Sequence, residues 1–186
     1  MLIQKKVVII GDSGVGKTAL MNRYLFDKFD SESMPTLGGS MKPKEVEVPG
    51  EGSIKLTLWD TAGQEKFKSL TRMYFQDAEA ALIVYDVTFR ESFENAKRWV
   101  EDLRSNANVP EIVLAIVGNK ADMVGSIDVQ LQEAHEYGKQ AKAEIIVETS
   151  AKDNNGINEL FQDVARKLLK KHKAKQVGDT HSYSEF

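Results

Sequence analysis

Eight consecutive residues, Gly11-Asp12-Ser13-Gly14-Val15-Gly16-Lys17-Thr18, have the composition of a phosphate cradle. They follow the apolar run Val7-Val8-Ile9-Ile10, which gives the order strand, glycine-rich loop, helix start that such a cradle needs. Glycines let the backbone turn until its N–H groups face inward, and the positive end of the next helix adds to the attraction for phosphate. Lys17 is then placed for the β- and γ-phosphates, and the Thr18 hydroxyl for a magnesium ion. The octet alone says nucleotide phosphate and nothing about the base, since kinases and ATPases share it.

Two further stretches narrow the chemistry. Asn119-Lys120-Ala121-Asp122 follows an apolar strand and so lies at the carboxyl end of a sheet, where open α/β folds take ligands. A carboxylate at Asp122 accepts both the ring N–H and the exocyclic amine of guanine, whereas adenine offers no such pair on that edge. A matched buried polar pair of this kind discriminates by ~10⁴ or more. The stem of Lys120 can lie over the base plane. Asp60-Thr61-Ala62-Gly63-Gln64 also follows a strand, placing Asp60 to hold magnesium through a water and Gln64 to orient an attacking water. Thr36 lies in the irregular segment 30–40, from which it can close over the metal.

These loops need a scaffold, and the patterning supplies one. Short Val/Ile/Leu runs alternate with helical periodicity, the mark of strand–helix units around a mostly parallel sheet. Strands are expected over residues 5–10, 45–48, 54–60, 80–86, 112–119 and 145–149. Five helices are expected over 16–26, 66–75, 92–106, 129–141 and 157–171. Ser92 reads as an N-cap, with Phe93, Ala96, Val100 and Leu103 following at helical spacing. Pro49-Gly50-Glu51-Gly52 reads as a hairpin turn, which makes that strand pair antiparallel, and Pro43 points to a sheet edge. Residues 1–175 form one expected domain. From Gln176 to Phe186 the chain turns polar and aperiodic, the pattern of a disordered tail.

Composition excludes several classes. The 186 residues suffice to bury roughly two thirds of the unfolded surface. A net charge of −3 argues against a general nucleic-acid binder. With no cysteine there is neither disulfide nor thiolate metal site, and the three histidines are scattered. No signal peptide is readable, and the apolar runs fall short of the ~20 residues of a membrane helix.

On these residues the chain resembles the Ras superfamily over about residues 5–171, and within it the Rab group that directs vesicle traffic. The resemblance is carried by Trp59-Asp60-Thr61-Ala62-Gly63-Gln64-Glu65-Lys66-Phe67, Met73-Tyr74-Phe75, Tyr85-Asp86-Val87-Thr88, Glu91-Ser92-Phe93 and Glu148-Thr149-Ser150-Ala151-Lys152. It implies the P-loop GTPase fold, a six-stranded mostly parallel sheet with an antiparallel second strand at one edge and five flanking helices. It further implies hydrolysis of GTP to GDP and phosphate, catalysed with Gln64 and Lys17. Nucleotide contacts are expected at Ser13, Gly14, Val15, Gly16, Lys17, Thr18, Ala19, Phe29, Thr36, Gly63, Asn119, Lys120, Asp122, Ser150, Ala151 and Lys152. Phe29 would stack on the base edge, and the Ala151 N–H would meet the guanine carbonyl oxygen. Magnesium is expected at Thr18, Thr36 and Asp60.

Exchange factor, activating protein and effectors are expected over the surface from Thr36 to Met41, at Trp59 and from Gln64 to Tyr74, on a chain acting as a monomer. For Trp59 a core position and an interface position weigh equally. Thr36-Leu37-Gly38-Gly39-Ser40 and Ala80-Ala81-Leu82-Ile83-Val84-Tyr85 look most like the endosomal branch, although Met41 stands where that branch often has an aromatic. The expected setting is cytoplasmic, reaching the cytoplasmic face of endosomal membranes. Rabs normally end in prenylated cysteines, which this sequence lacks, and Leu2 replaces the glycine of N-myristoylation. Membrane contact is therefore expected to be weak, through the basic stretch from Arg166 to Lys175 at most. A non-cycling nucleotide-binding interaction module and a P-loop kinase remain as alternatives.

Overall fold

The computed structural model describes residues 2–32, 34, 38–61 and 73–182, with side chains to residue 177. In chain order these form β1 (Ile3–Ile10), α1 (Lys17–Phe26), β2 (Ser40–Val48), β3 (Gly52–Asp60), β4 (Ala80–Asp86), α2 (Arg90–Asn106) and β5 (Val113–Asn119). A short 3-10 turn (Val124–Ser126), α3 (Leu131–Gln140), β6 (Ile145–Glu148) and α4 (Ile157–Ser182) complete them. Of the helix expected over 66–75, only residues 73–75 fall among the described ones, and they are helical.

The six strands form one sheet in the order β2-β3-β1-β4-β5-β6. Every pairing is parallel except β2 with β3. Pro43 therefore does lie in an edge strand, where a missing N–H costs no ladder bond. The hairpin closes between Val48 and Gly52, with the Glu51 N–H donating to the Val48 carbonyl at 2.9 Å. Parallel pairing brings the carboxyl ends of β1, β3, β4 and β5 to one edge of the sheet. β4 and β5 are buried along their whole length, which explains their apolar runs up to Asp86 and Asn119 at the ends.

Each face of the sheet carries a core. On one, Leu20, Met21, Phe161, Leu168 and Leu169 cover Ile9, Leu56 and Val117, with Tyr24 stacked on Phe161 at 3.9 Å. On the other, Phe93, Ala96, Trp99, Val100 and Leu103 of α2 cover Ile10, Ile83 and Ile116. Burying each of the larger side chains stabilises the fold by ~1.5–3 kcal/mol.

Two expectations need correction. Ser92 is not an N-cap: α2 starts at Arg90, with Phe89 at the cap position. The Ser92 hydroxyl is buried, accepts the Asp86 N–H at 2.9 Å and donates to the Phe89 carbonyl at 2.7 Å, so it joins the helix to the end of β4. The last helix also continues past residue 171, through the polar stretch beginning at Gln176, to Ser182. Extending an existing helix avoids the unfavourable nucleation step, so polar composition does not stop it.

Acids of the same chain pair with five of the six cations at the basic end of α4. Lys173 and Lys170 pair with Glu51 of the hairpin at 2.8 and 4.0 Å, and Lys171 and Lys167 pair with Glu144 at 2.5 and 3.8 Å. Arg166 pairs with Asp163 at 2.6 Å. Among the described residues no helix is long and apolar enough to cross a membrane.

Candidate functional site

β1 feeds a tight loop whose last residue, Gly16, caps α1 with φ +99°, a region that side-chain-bearing residues avoid. A Cβ at Gly16 would stand 2.3 Å from the Asn119 amide nitrogen, so glycine is needed for space as well as for torsion. Lys17 opens α1 and is buried, its ammonium donating to the Asp12 carbonyl at 2.8 Å. Burial pulls its pKa down to about 8, against the opposing pull of the Asp60 and Asp12 carboxylates. Such an ammonium is short of compensating charge, and a phosphate supplies it.

Asp60, at the end of β3, meets α1 through the Thr18 hydroxyl, which donates to its Oδ2 at 2.5 Å. Burial raises the Asp60 pKa, opposed by the Thr18 hydrogen bond and the Lys17 charge. Its Oδ1 is buried with no hydrogen-bond partner among the described residues. A hydroxyl and a carboxylate side by side, one oxygen orphaned, match the hard-oxygen donors that magnesium takes alongside phosphate oxygens. Among the described residues no group of three His, Cys, Asp or Glu is placed to hold a metal ion by itself.

A cleft of about 470 Å³ runs from this loop to the end of β5. Ser13, Gly14, Gly16, Lys17, Thr18, Ala19, Phe29, Asn119, Lys120, Asp122, Ala151 and Lys152 line it. Asp30, Ser31, Met34 and Met123 line it too, and nothing in their sequence context singles them out. The Val15 and Ser150 side chains are buried behind this wall. Thr36, Gly63 and Gln64 lie outside the described residues.

The far end of the cleft is organised by paired side chains. Asp122 Oδ1 accepts the Ser150 hydroxyl at 2.7 Å, so the next loop aims the carboxylate. Lys120 sits at φ +65°, and its ammonium reaches Asp86 Oδ2 at 2.7 Å, stretching its stem along the wall. Asn119 is a hub: its amide donates to the Val15 carbonyl at 3.0 Å, and its oxygen accepts the Thr149 hydroxyl at 3.2 Å and the Ala151 N–H at 3.4 Å. It thereby ties the phosphate loop to the loop after β6. Arg23, behind that loop, donates to the Ala151 and Lys152 carbonyls at 2.8 and 2.9 Å.

The sequence reading missed the Asp12 side chain. Its Oδ1 accepts the Trp99 indole N–H at 2.9 Å and its Oδ2 the Asn95 amide at 2.6 Å, so α2 holds the cradle. The i, i+4 spacing of Asn95 and Trp99 puts them on one helix face, but nothing in the sequence pairs that face with residue 12.

A second surface gathers Met41, Trp59 and Tyr74. Met41 faces Trp59 across the β2–β3 ladder, and the Trp59 and Tyr74 rings lie 5.6 Å apart, tilted by 47°. Trp59 is half-buried, touches the second core and carries Lys6 over its ring at 4.8 Å, so it serves core and surface together.

The Ras family model matches residues 6–170 of this chain. The Ras-related protein Rab-17 of Mus musculus is 42% identical over 177 residues, covering 95% of this chain and 79% of that protein. Human Rab-22A is 43% identical over 167 residues, covering 90% of this chain and 84% of its own length. Mouse Rab-31 is 45% identical over 164 residues, covering 88% and 82%.

Proposed function

The chain belongs to the Ras family, to its Rab group of small GTPases, and from that premise we propose that the cleft holds GTP or GDP with magnesium and cycles between the two. The observation that carries this is the Asp122 carboxylate, aimed by Ser150 into the same cleft that the phosphate loop and Lys17 close at the other end. Guanine chemistry and phosphate chemistry thus meet across one nucleotide-sized space.

In this reading the loop N–H groups and the positive end of α1 hold the phosphates, and Lys17 stabilises charge that grows on the transferring phosphoryl group. Thr18, Asp60 and Thr36 would hold magnesium, which when bound neutralises charge on the β- and γ-phosphate oxygens. Gln64 orients the attacking water. Phe29 covers the base edge, the Lys120 stem its face, and the Ala151 N–H its carbonyl oxygen. Exchange factors, activating proteins and effectors engage the surface of Met41, Trp59 and Tyr74 with its flanking segments. The segments from Thr36 to Ser40 and Ala80 to Tyr85 favour a role in endosomal traffic, on cytoplasmic membrane faces.

The test is base recognition. Asp122→Asn turns one accepting oxygen into a donor that faces the donors of guanine. Competition binding should show GTP affinity falling by a few kcal/mol and xanthosine triphosphate, with an acceptor at that position, becoming the preferred ligand. A variant that keeps its preference for GTP refutes the reading.

A further inference from the structure

Arg23 is not part of the cleft wall, yet two of its three guanidinium nitrogens grip the loop that is. It sits near the C-terminus of α1 with a side chain only 15% exposed. Nε donates to the Ala151 carbonyl at 2.8 Å, and one terminal nitrogen to the Lys152 carbonyl at 2.9 Å. The other terminal nitrogen donates to Asp27, to its carboxylate at 3.0 Å and its carbonyl at 3.2 Å. Asp27 Oδ1 also accepts the Asn154 amide at 3.3 Å, closing the fork onto the far side of the same loop.

From this geometry we propose that Arg23 is a positioning residue for base recognition: it locks residues 151 and 152 so that their backbone N–H groups can read the 6-oxo group of guanine. The proposal rests on the reading of the cleft as a guanine-nucleotide site. A trans peptide points its C=O and N–H in opposite directions, so gripping the Ala151 carbonyl from behind fixes the Lys152 N–H on the other side. Gripping the Lys152 carbonyl as well fixes the next peptide, so the Ala151 N–H, on the peptide before and 3.4 Å from Asn119 Oδ1, is steadied from the residue that follows it. Without the grip, residues 151 and 152 keep the long contact from the Ala151 N–H to Asn119, while the loop around them is held at Ser150, by its bridge to Asn155, its bond to Asp122 and the Asp153 N–H that its hydroxyl accepts at 2.9 Å. A lysine cannot replace the fork, because a point charge on a flexible stem does not hold two carbonyls in one plane.

The chemistry predicts a signature that general destabilisation does not share. Loosening residues 151 and 152 weakens ligands that use the 6-oxo contact and spares ligands that lack it. The probes are GDP and 6-thioguanosine 5′-diphosphate, which keeps the ring N–H and the exocyclic amine for Asp122 but offers sulfur, a weak acceptor, in place of the 6-oxo oxygen. Their affinities are measured with magnesium, by competition against a fluorescent GDP, for wild type, Arg23→Lys, Arg23→Gln and Asp27→Asn. Val100→Ala, a core change in α2, serves as a stability control.

Wild type should prefer GDP by ~10-fold or more, as expected for hydrogen bonds to a buried acceptor. In Arg23→Lys and Arg23→Gln the preference should shrink to within ~3-fold, mostly through weaker GDP binding, with Asp27→Asn intermediate. Val100→Ala should keep the wild-type ratio. Arg23 variants that keep that ratio, or lose affinity for both nucleotides in parallel, overturn the proposal while leaving the guanine site standing. Wild type that fails to bind GDP overturns the reading of the cleft, and the proposal with it. Should Arg23→Gln not fold, Arg23→Lys and Asp27→Asn carry the same comparison.

Discussion

Replacing Trp99 by Phe removes one hydrogen bond to a carboxylate and leaves an aromatic ring in the α2 core. The Trp99 indole donates to Asp12 Oδ1 at 2.9 Å, while Asn95 holds Oδ2 at 2.6 Å. Hydrogen bonds to charged groups contribute ~1.5–3 kcal/mol. Trp99 is only 5% exposed, which favours the upper part of that range, and the half-buried Asp12 pulls it down, so about 2 kcal/mol is the working value. Trp99→Phe also shrinks the ring, so the single variant overstates the bond. A cycle of Trp99→Phe with Asp12→Ala cancels the packing change and isolates the pair. Each protein is unfolded in urea at one fixed excess of GDP, because bound ligand adds its own stabilisation. The expected coupling is about 2 kcal/mol. Because the Asp12 carbonyl also accepts Lys17 at 2.8 Å, each single variant should release GDP faster, by ~10-fold, with no further increase in the double variant. A coupling under about 0.5 kcal/mol, or release rates that multiply, would refute the idea that α2 holds the cradle through Asp12.

Gly16→Ala combines a forbidden φ of +99° with a Cβ 2.3 Å from Asn119, whereas Gly14→Ala meets a similar φ of +81° and open space. Urea melts in the same excess of GDP should show Gly16→Ala losing at least ~1 kcal/mol more than Gly14→Ala; equal losses would mean that the Asn119 contact yields freely. Tyr85 carries a buried hydroxyl with no hydrogen-bond partner among the described residues, and burial raises its pKa further. Tyr85→Phe should therefore be neutral or stabilise by ~1 kcal/mol, and a loss above that in thermal or urea unfolding would reveal a partner for the hydroxyl. Glu51, its carboxyl held below the usual range mainly by the Lys173 hydrogen bond, masks cations of α4. Glu51→Gln should raise flotation with phosphatidylserine-rich vesicles a few-fold at low salt, the gain disappearing at high salt, and unchanged flotation at low salt would show that the pairing hides nothing.

The order of elements, the edge position of β2 and both ends of the cleft were legible because each is written in neighbouring residues. A glycine-rich octet after a strand, a hairpin turn between two strands and an acidic tetrad member after an apolar run are local patterns, with their own torsional and hydrogen-bonding logic. Lys17, Thr18 and Asp122 could be named from spacing alone for that reason. The braces behind them could not. Asp12 meets Trp99 across 87 positions, Arg23 meets Ala151 across 128, and Asn119 meets Val15 across 104. A side chain that acts through such a contact carries no periodicity and no motif: Arg23 reads as an ordinary helix cation and Trp99 as core. Ser92 shows the same limit at short range, since a serine before an apolar run looks like a cap until the end of β4 is seen to claim its hydroxyl. Glu51 and Glu144 likewise turn the basic end of α4 into a set of ion pairs only because the hairpin and the segment before β6 fold against it. Sequence determined the chemical groups at the two ends of the cleft, Lys17, Thr18 and Asp122 among them; packing over long loops decided what holds them there, because only a closed fold brings those donors and acceptors within hydrogen-bond reach.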